Sequence, residues 1–213
     1  MNKFPYRLGV MLVALGLTAC GGPIVNDLVP LPGKEDAVPE ITEVTHVAFE
    51  TTAGEVRIDV YPQAAPNAAK RFIELVESGY YDQTPIFRIV PDFVAQFGIN
   101  WRAPHKDWQN KNFPDDPRLF AHERGTLSFA KSGRPDTAST QVFINYKENN
   151  FLANEDPAYR FTVFGMVVDG MDVVDSFAQV GELDQGRLWS NGDAYIESMR
   201  VKPTMIESAK VVD

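Results

Sequence analysis

The chain has 213 residues, and its 29 acidic against 20 basic side chains leave a formal charge of −9. A carboxylate excess of this size argues against nucleic acid as a partner, because a phosphate backbone is met by clustered Lys and Arg. The single cysteine excludes a disulfide within the chain.

Lys3 and Arg7 precede an apolar run from Leu8 to Leu17 that is too short to span a bilayer and ends in small residues. That order predicts a secretory signal over residues 1–19. The stretch Leu17-Thr18-Ala19-Cys20-Gly21-Gly22 resembles a bacterial lipobox, which implies cleavage before Cys20 and a lipid anchor on its thiol. Gly21 stands where an aspartate would, by resemblance to enterobacterial lipoproteins, favour the inner membrane. The expectation is therefore an outer-membrane lipoprotein facing the periplasm. Cleavage removes Lys3 and Arg7 and no acidic residue, so the mature charge becomes −9 − 2 = −11. Residues 20–42 carry Pro23, Pro30, Pro32 and Pro39 with little apolar periodicity and read as an extended tether, at roughly 3 Å per residue. Residues 43–213 are a normal size for one domain.

Within that domain Val47, Phe49 and Thr51 alternate with Ala48 and Glu50. Thr52-Ala53-Gly54-Glu55 then supplies turn chemistry, and Val56, Ile58 and Val60 alternate with Arg57 and Asp59. This predicts a β-hairpin. Ala69, Phe72, Ile73 and Val76 recur on one helical face, with Pro66 suited to a first turn and Gly79 to a C-terminal cap. Short apolar runs follow at Ile86–Val90, Phe93–Phe97, Gly125–Ala130, Gln141–Asn145 and Phe161–Val168. A second amphipathic segment places Met171, Val174, Phe177 and Ala178 on one face, and a last run spans Met205–Val212. Many short strands, two helices and no βαβ rhythm predict a mainly β fold with a closed or nearly closed sheet. Residues 99–124 fit neither period and form a long loop with Trp101, Trp108 and Asp115-Asp116. Its tryptophans beside charged residues suggest that it tunes access to a groove.

Conventional catalytic constellations are poor. His46, His105 and His122 stand in unrelated contexts, no Ser or Cys nucleophile is marked, and Asp115-Asp116 lacks further ligand spacing and reads as a solvated turn. An enzyme built from this chain works without nucleophile, metal or cofactor.

In order and spacing, "TTAGEVRIDVYPQAAPNAAKRFIELVESGYYDQTPIFRIVPDFVAQFG", "GTLSFAKSG", "STQVFIN" and "FTVFGMVVDGMDVVD" resemble the cyclophilin family of peptidyl-prolyl cis–trans isomerases. Trp101, Asp115-Asp116-Pro117 and Arg124-Gly125-Thr126 match loop features of bacterial and plant members. The resemblance implies an eight-stranded antiparallel closed β-barrel capped by two α-helices, with a groove on its outer wall that binds proline-containing polypeptides.

It further implies a catalytic role for Arg88. The shared parity of positions 88, 90, 94 and 96 agrees, because Arg88, Val94 and Gln96 can then face one way across the bend at Pro91-Asp92. Phe93, Val94, Phe143 and Leu152 would form the proline pocket, with Phe151 and Phe161 as further aromatic walls. Gln96 and Gln141 would hydrogen-bond substrate or Arg88, and Ala130 with the backbone of Lys131 would bind residues preceding proline. Phe151 replaces a tryptophan that hydrogen-bonds cyclosporin in many eukaryotic members, which implies weak binding of that drug. Phe97 replaces the first glycine of a usual pair and leaves the local backbone path open. Two other readings remain at this point: a chaperone or scaffold using the same groove without catalysis, and a lipocalin-like barrel whose interior holds a small apolar ligand.

Overall fold

The alternating segments pair as their spacing predicts. In the computed structural model, β1 (Thr45–Thr51) and β2 (Gly54–Val60) form an antiparallel hairpin in which Val47 lies opposite Ile58 and Phe49 opposite Val56. The structure describes residues 28–154, 156 and 160–213; the expected signal 1–19 and Cys20 lie outside them. Six further strands follow, β3 (Thr84–Val90), β4 (Val94–Phe97), β5 (Thr126–Phe129), β6 (Val142–Asn145), β7 (Val163–Asp169) and β8 (Met205–Val212). They close a barrel in the order β1-β2-β7-β5-β6-β4-β3-β8, with every pair antiparallel. Closure gives every strand a hydrogen-bonded neighbour on each side.

Inward-facing rings fill the barrel. Phe49 lies 5.5 Å edge-on from Phe97 and 6.1 Å from Phe72, and Phe164 lies 5.0 Å from Phe72 and 5.2 Å from Phe129. A lipocalin-like ligand would need the space these rings occupy, so the interior does not support that reading. Phe97, the residue that replaces a glycine, belongs to this core. Gly98 keeps its place for a steric reason: at φ 102°, a Cβ would sit 2.2 Å from the Thr140 carbonyl oxygen.

Helix α1 (Pro66–Glu77) and the short α2 (Met171–Asp175) bring Phe72, Leu75 and Val174 into the same core. Proline at its first position starts α1, and Gly79 ends it at φ 68° with Tyr80 N–H donating to Leu75 O and Gly79 N–H to Val76 O. Its N-terminus is capped from a distance: Asp116 Oδ1 accepts from Asn67 N at 3.1 Å and Oδ2 from Ala68 N at 2.8 Å. Asp116 is buried, and burial raises its pKa against these hydrogen bonds. The dipeptide Asp115-Asp116 is therefore no solvated turn, because its second carboxylate supplies the oxygens that Ala65 cannot.

The chain folds differently from expectation in two more places. A third helix, α3 (Gln185–Ser198), follows α2 and buries Leu188 beside Phe87, Ile99 and Leu183. Residues 28–42, expected as free tether, lie against the domain. Leu31 N donates to Leu119 O and Ala121 N to Val29 O, both at 2.8 Å, while Leu28 and Ile41 are buried with Tyr61, Phe120 and Val163. Pro30 sits opposite Phe120 between those two bonds, where its missing N–H leaves no rung unmade.

One irregularity positions the outer wall. Ile86 pairs with Phe97 and Arg88 with Gln96, so β3 carries one residue more than β4 across that step. This bulge sends Ile86 and Ile89 into the barrel and lets Phe87 and Arg88 both leave it. The charged residue within an apolar run thereby reaches the surface without opening the core.

Gly98→Ala should lower the free energy of unfolding by on the order of 3 kcal/mol, since strain at positive φ adds to the clash with Thr140. A urea midpoint equal to wild type would show that the backbone there yields easily.

Candidate active site

The antiparallel register lines up one row of outward residues across four strands: Arg88 on β3, Gln96 on β4, Phe143 on β6 and Ser128 on β5. Beside this row opens a cavity of about 210 Å³. Arg88, Phe93, Val94, Gln96 and Phe143 line it from the β3–β4 hairpin and β6, and Ala130, Lys131, Leu152 and Phe161 close its other side. Gln141 lines a neighbouring, more polar hollow of about 340 Å³ together with Ala130, Ser139 and Gln185. Phe151 stands at the rim, 67% exposed, its ring stacked 5.8 Å from Phe93. The structure thus places all ten residues expected to bind substrate around Arg88, nine of them in the walls of the two hollows and Phe151 above them.

Arg88 is held at two nitrogens. Nε donates to Glu182 Oε2 at 3.1 Å and Nη1 to Gln96 Oε1 at 3.2 Å, and the guanidinium carbon lies 5.9 Å from the centre of the Phe93 ring. Among the described residues Nη2 has no hydrogen-bond partner. Gln96 Nε2 donates in turn to Gln141 Oε1 at 2.9 Å, and Gln141 Nε2 to Gln185 Oε1 at 3.2 Å. A fixed cation with free donors therefore borders an apolar cavity open to solvent.

Lys131 contributes its stem and not its charge to the wall. Its side chain is 2% exposed, Nζ pairs with Asp115 Oδ2 at 2.6 Å, and the ammonium lies 5.9 Å from the Phe161 ring centre. Asp115 is thus the long loop's contribution to the groove. The tryptophans expected to tune access stand elsewhere: Trp101 packs on Gly192 of α3 and Trp108 against Arg71 of α1. Aromatic rings beside charges in sequence turned out to be cation–π partners of scaffold arginines.

Three residues at the site were missed from the sequence. Glu182 and Gln185 carried no motif, and His122 looked isolated. His122 is fully buried behind the cavity wall, its ring stacked 6.0 Å from Phe143, with Nε2 3.2 Å from Phe161 O and Nδ1 3.3 Å from Asn145 Nδ2. An amide donor on one nitrogen and a carbonyl acceptor on the other satisfy the neutral ring with its proton on Nε2. Burial pulls its pKa down from 6.5 to about 4, opposed by the Phe161 carbonyl and assisted by Arg118.

The unfolded chain therefore takes up this proton first, so the contribution of His122 to stability is complete above pH 6.5 and declines as pH falls towards 4. The loss amounts to about 3 kcal/mol. Urea unfolding between pH 7 and 4 should show wild type losing stability faster than His122→Asn; parallel curves would contradict this.

The comparisons with known proteins agree with the geometry. The family model described as "Cyclophilin type peptidyl-prolyl cis-trans isomerase/CLD" matches residues 46–202. Peptidyl-prolyl cis-trans isomerase A of Dickeya dadantii is 33% identical over 174 residues, covering 80% of this chain and 86% of that protein. A peptidyl-prolyl cis-trans isomerase of Acinetobacter baylyi is 37% identical over 139 residues, covering 64% and 73% respectively. In three dimensions, a cyclophilin-type isomerase of Cryptosporidium parvum aligns with TM-score 0.58 at 20% identity over 80% of this chain and 99% of its own, a likeness of fold alone. A second structure of that protein, determined in the presence of the dipeptide Ala-Pro, aligns with TM-score 0.56 at 20% identity over 79% and 99%. With its barrel, its groove and the span of the match together, this chain belongs to the cyclophilin-type peptidyl-prolyl cis–trans isomerases.

Proposed function

We propose that Arg88 is the catalytic residue of this isomerase and that the cavity beside it takes the proline ring of the substrate. Rotation about a peptide bond is opposed by a barrier of about 18–20 kcal/mol, because the nitrogen lone pair is delocalised into the carbonyl. For Xaa-Pro bonds the isomers differ by only about 0.5–1 kcal/mol, so what a folding chain lacks is rate. At the twisted transition state the prolyl nitrogen regains its lone pair and accepts a hydrogen bond that the planar amide cannot accept. A guanidinium donates that bond without giving up its proton, and so stabilises the transition state more than the ground state.

The observation that carries this reading is the free Nη2 of Arg88 beside the cavity walled by Phe93 and Phe143. The apolar walls hold the ring while Ala130 and the Lys131 backbone meet the residues before it. Phe151 offers an aromatic surface without an indole N–H, which disfavours cyclosporin. Arg88 is only partly buried and its ion pair with Glu182 is half in solvent, so its removal should leave stability within about 1 kcal/mol.

We further propose that the site of action is outside the cytoplasm, on a lipid anchor at Cys20 in the outer membrane facing the periplasm. The support is the order Lys3, Arg7, apolar run and Cys20. Because residues 28–42 lie against the domain, the chain from Cys20 to Leu28 allows at most about 30 Å between the lipid and the point where the segment docks. Mass spectrometry of the mature N-terminus should find a diacylglyceryl-type mass on Cys20, and an unmodified Met1 or a free Cys20 thiol would contradict the anchor.

In a protease-coupled assay on an Xaa-Pro peptide, Arg88→Ala should lower kcat/KM about 100-fold with the fold intact. Wild-type turnover at the uncatalysed rate would instead favour a chaperone or scaffold that holds proline-containing segments in the same groove.

A further inference from the structure

The hydrogen bonds around Arg88 close into a ring of five side chains that includes two residues from outside the barrel. From Arg88, Nη1 leads to Gln96, Gln96 to Gln141, Gln141 to Gln185, and Gln185 Nε2 to Glu182 Oε1 at 3.3 Å; Arg88 Nε closes the circle on Glu182 Oε2. Arginine can only donate and an ionised carboxylate can only accept. With these two at its ends, the run of three amides has one direction, and every glutamine donates towards Glu182.

Glu182 reaches this place through backbone pairing. β8 covers β3 only as far as Ile86. Beyond it, Ile89 N donates to Gly181 O at 2.7 Å and Leu183 N to Phe87 O at 2.8 Å. Residues 181–183 thus continue the sheet as a short extra rung, and Arg88 faces Glu182 in the narrow pair between two backbone bonds, where side chains lie closest. The rung is anchored by α3. Asp184 caps that helix by accepting from Arg187 N at 2.9 Å, Leu183 and Leu188 are buried, and Gly192 lets the Trp101 ring come so near that a Cβ would lie 2.3 Å from it.

We propose that Glu182 and Gln185 are positioning residues for Arg88, and that Gln185 keeps Nη2 available to substrate. This rests on the reading of Arg88 as catalytic. Left to itself, a carboxylate beside an arginine takes Nε and Nη2 together in a two-pronged pair. Here only Oε2 engages Arg88, because Oε1 accepts from Gln185. Glu182 therefore fixes the rear of the guanidinium, Gln96 fixes one flank, and Gln185 prevents the carboxylate from withdrawing the remaining donors. A long side chain that would otherwise sample several rotamers is held ready before substrate arrives. The half-exposed Glu182 contributes orientation more than stability.

The test uses the full chain, one Xaa-Pro peptide and five variants. Glu182→Ala and Gln185→Ala should each lower kcat about three- to tenfold with KM within about twofold. Glu182→Gln, whose single oxygen still accepts from Nε but cannot fork, should stay near wild type, and adding it to Gln185→Ala should restore that variant. The Nε–H resonance of Arg88 should be sharp in wild type and broadened in Glu182→Ala, which a merely structural role would not produce. Unchanged or raised kcat in both alanine variants, or a failure of Glu182→Gln to rescue Gln185→Ala, would overturn the proposal. Arg88→Ala, measured alongside, separates the two failures. If it falls to background while the alanine variants at 182 and 185 keep full rate, only the positioning roles are wrong; if it keeps its rate, the catalytic reading fails first.

Discussion

Arginine cannot lose its proton, so Arg88 can border an apolar cavity only if oxygens hold it on the sides the cavity does not need. The bulge between Ile86 and Arg88 is what makes this possible. It releases two consecutive residues from the barrel, Phe87 towards α3 and Arg88 towards the groove, while Ile86 and Ile89 stay in the core. Without that extra residue the alternation of β3 would set Arg88 and Ile86 on one face, and burying the isoleucine would bury the charge. The rings packed inside the barrel make the displacement rigid, because the wall cannot move inwards to follow its side chains.

The groove draws its walls from segments far apart in sequence, and each is secured by a different means. Val94, Gln96 and Phe143 are set by strand register. Phe161 and Phe143 rest on neutral His122, whose two nitrogens are matched by Phe161 O and the Asn145 amide. Lys131 is neutralised by Asp115 and lends its stem to the wall. Leu31 packs with Ala121 and Ala153, so the N-terminal segment leans on the strips that precede His122 and follow Leu152. In this arrangement His122, Lys131 and Gln96 are paired, and Arg88 Nη2 has no partner among the described residues.

Much of this was legible in the sequence, and the remainder was hidden for identifiable reasons. Strict alternation marked β1 and β2, and Pro66 with Gly79 marked α1, because those signals are local. Arg88, Gln96 and Phe143 converge because register carries parity across strands. Helix α3 was overlooked: Gly186, Asn191 and Gly192 interrupt its periodicity, and Asn191 leaves helical geometry altogether. Asp184 as a cap was the signal that could have found it. Residues 28–42 looked like tether since prolines outnumber any regular apolar spacing, yet Leu28, Leu31 and Ile41 suffice to dock it. Glu182 had no readable sign, as its role depends on which edge of β3 lies uncovered, a property of the closed barrel alone.

The central claim is that Arg88 presents its free donors to the nitrogen of a proline seated between Phe93 and Phe143. A crystal structure of the chain with a bound Xaa-Pro peptide tests it most directly. The account predicts the ring inside that cavity with an Arg88 Nη atom about 3 Å from the prolyl nitrogen or its carbonyl oxygen. A peptide bound with its proline elsewhere, or with Arg88 folded fully onto Glu182 and out of reach, would contradict it.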